Sequence, residues 1–189
     1  MPIMIAGIAL WSIVHLVPAV APGFRQALVS RLGEKAYKGL FALAIVVSLV
    51  LIVIGWRATP PQVVYAPPPW GRPAAIVLMV VAVYLFGAAR RPAVVKRFIR
   101  HPQLTGLVTW SIAHLLANGD HRSVTLFGGL GVWAVLEIIA INRRDGAWTR
   151  PAAPALSREL LGIAITLLVF GFLVLVHPRI AGVPLVRFG

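Results

Sequence analysis

The sequence predicts an all-α, polytopic integral membrane bundle of about six transmembrane helices, forming a single domain over residues 1–189. Three observations carry this. The 189 residues are 59% hydrophobic and only 12% charged, with a mean hydropathy of +0.89, more apolar surface than a soluble fold of this size can hide. The apolar residues fall in continuous runs of helical length, whereas a transmembrane barrel would alternate apolar and polar positions. The basic residues lie between the runs and hardly at all within them.

The runs cover about residues 3–20, 38–56, 73–89, 104–118, 123–141 and 159–177. The first has no basic flank and no small-residue cleavage site, so it is expected to be a retained helix. The fourth is short, bounded by Pro102 and by Asn118-Gly119-Asp120. Between the second and third runs lie Pro60, Pro61, Pro67, Pro68 and Pro69, which disfavour helix and predict an extended cap, a linker or else a lid over a cavity. Tyr65 and Trp70 in that stretch suit a membrane interface.

Orientation follows from charge. Thirteen of the 18 Lys and Arg follow the odd-numbered runs: Arg25, Arg31, Lys35 and Lys38; Arg90, Arg91, Lys96, Arg97 and Arg100; Arg143, Arg144, Arg150 and Arg158. The other side holds Arg57, Arg72, Arg122, Arg179 and Arg187. The positive-inside rule then puts the odd loops in the cytoplasm and both termini on the periplasmic side of the cytoplasmic membrane. The formal charge of +13 is thereby explained by loops meeting anionic lipid, and nucleic acid is not an expected partner. With no Cys, thiolate ligands, iron–sulfur clusters and Cys nucleophiles are excluded.

The first run contains Trp11-Ser12-Ile13-Val14-His15-Leu16 and the fourth Trp110-Ser111-Ile112-Ala113-His114-Leu115, identical at five of six positions. Trp and His four residues apart share one helix face. Ionisable groups inside a bilayer avoid lipid and mark functional sites, although a single intramembrane His can simply be bonded to a neighbouring carbonyl. A neutral imidazole is a good metal ligand. Two of them without Cys suit a six-coordinate haem iron better than zinc, which takes three or four protein ligands. The two runs are antiparallel and each His lies past its helix midpoint. The pair is therefore expected at depths differing by about 9 Å, on neighbouring helices that face one another across a cofactor.

Other residues compete. Arg100-His101-Pro102-Gln103 opens the fourth run, where Pro fits a first helical turn and the basic cluster favours an anion. His121, beside Asp120, reads as interfacial, and His177, before Pro178, as the end of the last helix. Glu137, amid Ala134, Val135, Ile138 and Ile139, must be protonated or paired, with Arg143 or a cofactor group as partner.

The run Arg100-His101-Pro102-Gln103-Leu104-Thr105-Gly106, continued by Trp110, Ala113-His114 and Asn118-Gly119-Asp120, resembles the NnrU family, as do His15 and Gly33-Glu34-Lys35-Ala36-Tyr37. That family is similar to the plant 15-cis-ζ-carotene isomerase, a membrane enzyme carrying haem b. The resemblance implies that His15 and His114 are axial haem ligands, that His101 matches the R-H-P-Q histidine of the isomerase, and that Arg143-Arg144 match a basic pair after its fifth helix. Where the isomerase has a His-rich segment this chain reads Leu136-Glu137-Ile138-Ile139, a departure that bears on substrate. The implied activities are a redox-switched isomerisation of a polyene or isoprenoid lipid, catalysed at His114, His101 and Glu137, or nitric oxide chemistry linked to denitrification. An R-H-P-x-x-x-G element also resembles S-adenosylmethionine-dependent membrane methyltransferases, although the paired glutamates of those enzymes are missing. A non-catalytic haem carrier is the third alternative.

Overall fold

A computed structural model of the chain describes residues 1–182, so Arg187 lies outside the described residues. Its elements are α1 (Pro2–Val20), α2 (Pro22–Leu32), α3 (Glu34–Arg57), α4 (Gly71–Ala89), a 3-10 turn (Val94–Arg97), α5 (Pro102–Ala117), α6 (His121–Asp145) and α7 (Leu156–Ala181). The six apolar runs become α1, α3, α4, α5, α6 and α7. Five of these are long and apolar enough to cross a membrane. The sixth, α5, has 16 residues, about 24 Å of helix, and is the short element expected from its flanks. The arrangement is a multi-pass membrane helix bundle.

Two boundaries differ from the sequence reading. Residues 22–32, expected as a basic loop, form α2. Pro22 supplies a preset φ at its first turn, and Gly33, at φ 81°, separates it from α3. His177 does not end the last helix, because α7 continues through Pro178 to Ala181.

The six apolar helices pack in the order α3, α1, α6, α5, α4, α7. The sequence reading made α1 and α5 direct neighbours; here each packs on α6, which stands between them. Glycines on α6 explain the wedge. A Cβ on Gly129 would lie 3.1 Å from Ile8 of α1, and one on Gly131 would lie 3.0 Å from Ser111 of α5. Missing side chains at these positions let both helices approach the α6 backbone. The contact of α1 with α3 is closer still, since a Cβ on Gly7 would stand 2.8 Å from Ile52 N and Ser48 O, and one on Gly55 would strike Met4. Beside these glycines Met4, Ile8 and Ile52 form a buried cluster joined by Leu126 and Leu130 of α6.

Connections gather at two ends. At the first, rich in Arg and Lys, Arg144 donates to Pro18 O (3.1 Å) and Arg100 to Gly146 O (2.7 Å). Glu159, at the start of α7, accepts from Val94 N (3.0 Å) and from the Tyr84 hydroxyl, tying the peripheral α7 to α4. At the other end the proline-rich segment is a fixed extended cap. Val64 N and Tyr65 N donate to Gly119 O (2.8 and 3.1 Å), His121 N donates to Gln62 O (2.9 Å), and the Tyr65 hydroxyl reaches Leu115 O and Asn118 O. Beneath it Asp120 caps α6, accepting from Arg122 N (3.0 Å), Ser123 N (3.2 Å) and Ser123 Oγ (2.6 Å). Burial opposes its charge, but the bonds from Ser123 and Arg122 outweigh it and hold the carboxyl below the usual carboxylate range. The loops that the sequence sorted by charge thus meet at opposite ends of the bundle.

Candidate functional site

The repeated hexapeptide is also a repeated structure. On α1, His15 Nδ1 donates to Trp11 O at 2.8 Å and its ring packs on the Trp11 indole at 4.3 Å between centroids. On α5, His114 Nδ1 donates to Trp110 O at 2.9 Å and packs on Trp110 at 4.7 Å. In both copies the i−4 carbonyl fixes the tautomer, leaving Nε2 as the nitrogen with a lone pair. Metal-ligating histidines are oriented in this way, their second nitrogen donating to a carbonyl or carboxylate.

Helix α6 completes each unit with an aromatic ring that sequence reasoning missed. Trp133 meets His15 (5.0 Å) and Trp11 edge-on (5.5 Å, 87°). Phe127 stacks on His114 (4.3 Å, 26°) and meets Trp110 at 4.7 Å. Phe41 of α3 closes the far side of His15 at 5.6 Å. These partners also measure depth. Phe127 and Trp133 are six residues apart on one helix, about 9 Å along its axis, so the two units sit at different levels of α6.

A cavity of about 660 Å³ opens toward the basic end, walled by α1, α4, α5 and α6. His15, Trp11, Trp133 and Glu137 line it, with Phe86, Leu104, Leu107 and Ile141 as apolar wall and Lys96, Arg100, His101 and Gln103 at its mouth. Leu107 and His114 are seven residues apart on α5, within about 20° of the same direction, so His114 overlooks the same side of α5 two turns further along.

Of the residues singled out from sequence, the structure brings together Trp11, His15, Arg100, His101, Gln103 and Glu137, and sets Trp110 and His114 beyond them. His101 Nε2 is bonded to Asn142 Oδ1 (2.9 Å), a polar residue at the end of α6 that was not foreseen. The expectation that Arg143 would face Glu137 fails: Arg143 is exposed, and the charge reaching Glu137 is that of Arg144. Seven residues separate 137 from 144, which keeps them on one face, whereas a six-residue step turns away by about 120°. His121, at the first turn of α6, accepts from Gln62 N of the proline-rich cap at 3.1 Å.

Among the described residues no three His, Asp or Glu side chains gather as a protein-ligated metal site would require. A haem iron takes four ligands from its macrocycle and asks the protein for only one or two, fewer than a protein-ligated metal site needs. Apolar and aromatic walls and a basic mouth also suit a flat apolar group with acidic substituents. Comparison with curated proteins and with solved structures finds none that matches. The family model described as NnrU protein matches residues 3–185, nearly the whole chain, and the chain belongs to the NnrU family.

Proposed function

We propose that this chain is a haem b-binding protein of the cytoplasmic membrane in which His15 and His114 are the axial ligands. The observation that carries the reading is the twinned unit: two imidazoles on antiparallel helices, each tethered through Nδ1 to the carbonyl of a Trp four residues earlier and each backed by an aromatic ring from α6. Trp11, Trp110, Trp133 and Phe127 hold the imidazole planes and exclude water. Arg100 and Gln103 at the mouth supply positive charge and donors for acidic substituents of the macrocycle. When bound, haem would supply a redox-active iron able to take nitric oxide or the double bonds of an apolar polyene or isoprenoid lipid. His101 and Glu137 are the side chains of the cavity able to exchange protons with such a substrate. In this orientation the basic end faces the cytoplasm and both termini lie on the periplasmic side.

The test is the visible spectrum of the purified chain. We expect a Soret band with sharp reduced α and β bands, converted to a five-coordinate spectrum or lost in both His15→Ala and His114→Ala and unchanged in His121→Ala. A folded, colourless protein that takes no haem would overturn the reading. S-adenosylmethionine binding by that colourless protein would favour a methyltransferase. Turnover of a polyene lipid by the haem form would separate an isomerase from a haem carrier.

A further inference from the structure

Between α4 and α7 runs a second, smaller groove of about 270 Å³, lined by Val80, Val81, Tyr84, Ile163, Thr166 and Leu167. It is separate from the histidine cavity: Tyr84 of the groove and Phe86 of the cavity stand about 200° apart around α4. Short residues on α7 create it. Gly162 has no side chain, and a Cβ there would strike the Arg91 guanidinium. One turn on, Thr166 Oγ1 bends back to donate to Gly162 O (2.8 Å). The Tyr84 hydroxyl is turned to Glu159, so both hydroxyls of the groove are engaged by protein partners and its open surface is apolar. Val81, Ile163 and Leu167 are exposed along its rim.

Charge gathers where the groove meets the basic end of the bundle. Arg91 pairs with Glu159 (3.6 Å) and stands 5.5 Å over the Tyr84 ring, and Glu159 also accepts from Val94 N (3.0 Å), so this carboxylate is neutralised in place. On either side of the pair, Arg90 caps the end of α4 and Arg158 lies in the first turn of α7. Both are exposed, and among the described residues neither side chain has a hydrogen bond or an ion pair. Two unpaired cations at the end of an apolar groove, at the level where a membrane meets water, call for an anion that carries a hydrocarbon chain. A second copy of this chain could not supply that anion. Of its five carboxylates, Glu34, Asp120, Asp145 and Glu159 are ion-paired and Glu137 is buried. A zwitterionic lipid would bring its own cation toward the two arginines. We propose that the α4–α7 groove binds an anionic phospholipid, with one acyl chain against Val80, Tyr84, Ile163 and Leu167 and the phosphate held by Arg90 and Arg158.

The site uses no residue of the histidine cavity, so it stands or falls separately from haem binding. Native mass spectrometry of the full-length chain in detergent, titrated with phosphatidylglycerol or with phosphatidylcholine of identical acyl chains, reads the dissociation constant of the first lipid bound. We expect phosphatidylglycerol to bind at least tenfold tighter. Arg90→Gln combined with Arg158→Gln should weaken it about 25-fold, about fivefold for each charge, and leave phosphatidylcholine within about threefold. Arg25→Gln combined with Arg31→Gln, an equal loss of exposed charge on α2, should leave phosphatidylglycerol within about threefold. Val81→Trp fills the groove from its exposed rim without touching a charge, and should weaken phosphatidylglycerol about tenfold or more. Glycerol phosphate, the head group without chains, should show no saturable binding. Equal affinity for the two lipids would overturn the proposal. So would a preference that survives both the Arg90/Arg158 pair and Val81→Trp, one that the Arg25/Arg31 pair weakens as much, or glycerol phosphate binding as tightly as the lipid.

Discussion

Replacing Gly55 by Ala places one methyl group in the close contact of α1 with α3. Its Cβ would strike Met4 N and lie 2.6 Å from Met4 Cβ and 2.7 Å from Met4 Cα, where ordinary contact starts at 3.4 Å. To accept it α1 must retreat by about 0.8 Å or more, and such overpacking costs about 1–3 kcal/mol in a well-packed interior. The same substitution at Gly39, on the same helix with nothing within 4 Å of its Cβ, carries only the helix-propensity gain of about 1 kcal/mol. Because both variants share that gain, their difference isolates the packing cost. For a chain of this size about 2–4 °C follows each kcal/mol, so the two midpoints should stand about 2–12 °C apart, Gly39→Ala the higher. Thermal unfolding of the purified variants in one detergent, followed by circular dichroism and by tryptophan fluorescence, measures this. Coincident midpoints would refute the close approach of α1 to α3 and the packing order built on it.

Asp120→Ala removes the α6 cap and should cost about 0.5–2 kcal/mol, whereas Asp120→Asn should cost less. Since the folded carboxyl is held below its ordinary value of 3.8, its stabilisation is complete above that pH and fades as pH falls through the lowered value; Asp120→Asn should flatten this acid limb in unfolding curves. Glu159→Ala leaves Val94 N and the Tyr84 hydroxyl without their buried acceptor, a loss of about 1–3 kcal/mol. Faster hydrogen exchange confined to the first turns of α7 is the expected sign, and unchanged protection there would contradict the tether. Tyr65→Phe strips the donor from Leu115 O and Asn118 O, about 1 kcal/mol, and limited proteolysis should then cut within residues 58–70 sooner than in the wild type.

The six apolar helices were legible because a membrane demands continuous apolar runs, and the loops because charge sorts between them. The hexapeptide echo was legible because Trp, Ser and His at fixed spacing stand out against Leu and Val. What sequence could not show was which helices touch. Trp133 and Phe127 sit in an apolar run where any aromatic could as well face lipid, and only the placement of α6 between α1 and α5 turns them inward. The α2 helix was missed because Arg25 and Arg31 interrupt its apolar residues, although Pro22 and Gly33 are a start and stop signal that a stricter reading would have used. The Glu137–Arg144 relation could also have been found, since a seven-residue step keeps the helix face and a six-residue step leaves it. The burial of the Trp133 indole and the Glu137 carboxyl was beyond reach, because burial is a property of neighbours in space.

The position of α6 between α1 and α5 sets a timetable for biogenesis. The pairs α1 with α3 and α4 with α5 are near neighbours along the chain and can associate as they leave the translocation machinery. Each histidine is at that stage only half enclosed, His15 lacking Trp133 and His114 lacking Phe127. The enclosure closes only when α6, among the last segments to be synthesised, slides in between two preformed hairpins. Both histidine units are therefore complete only once translation has passed residue 133.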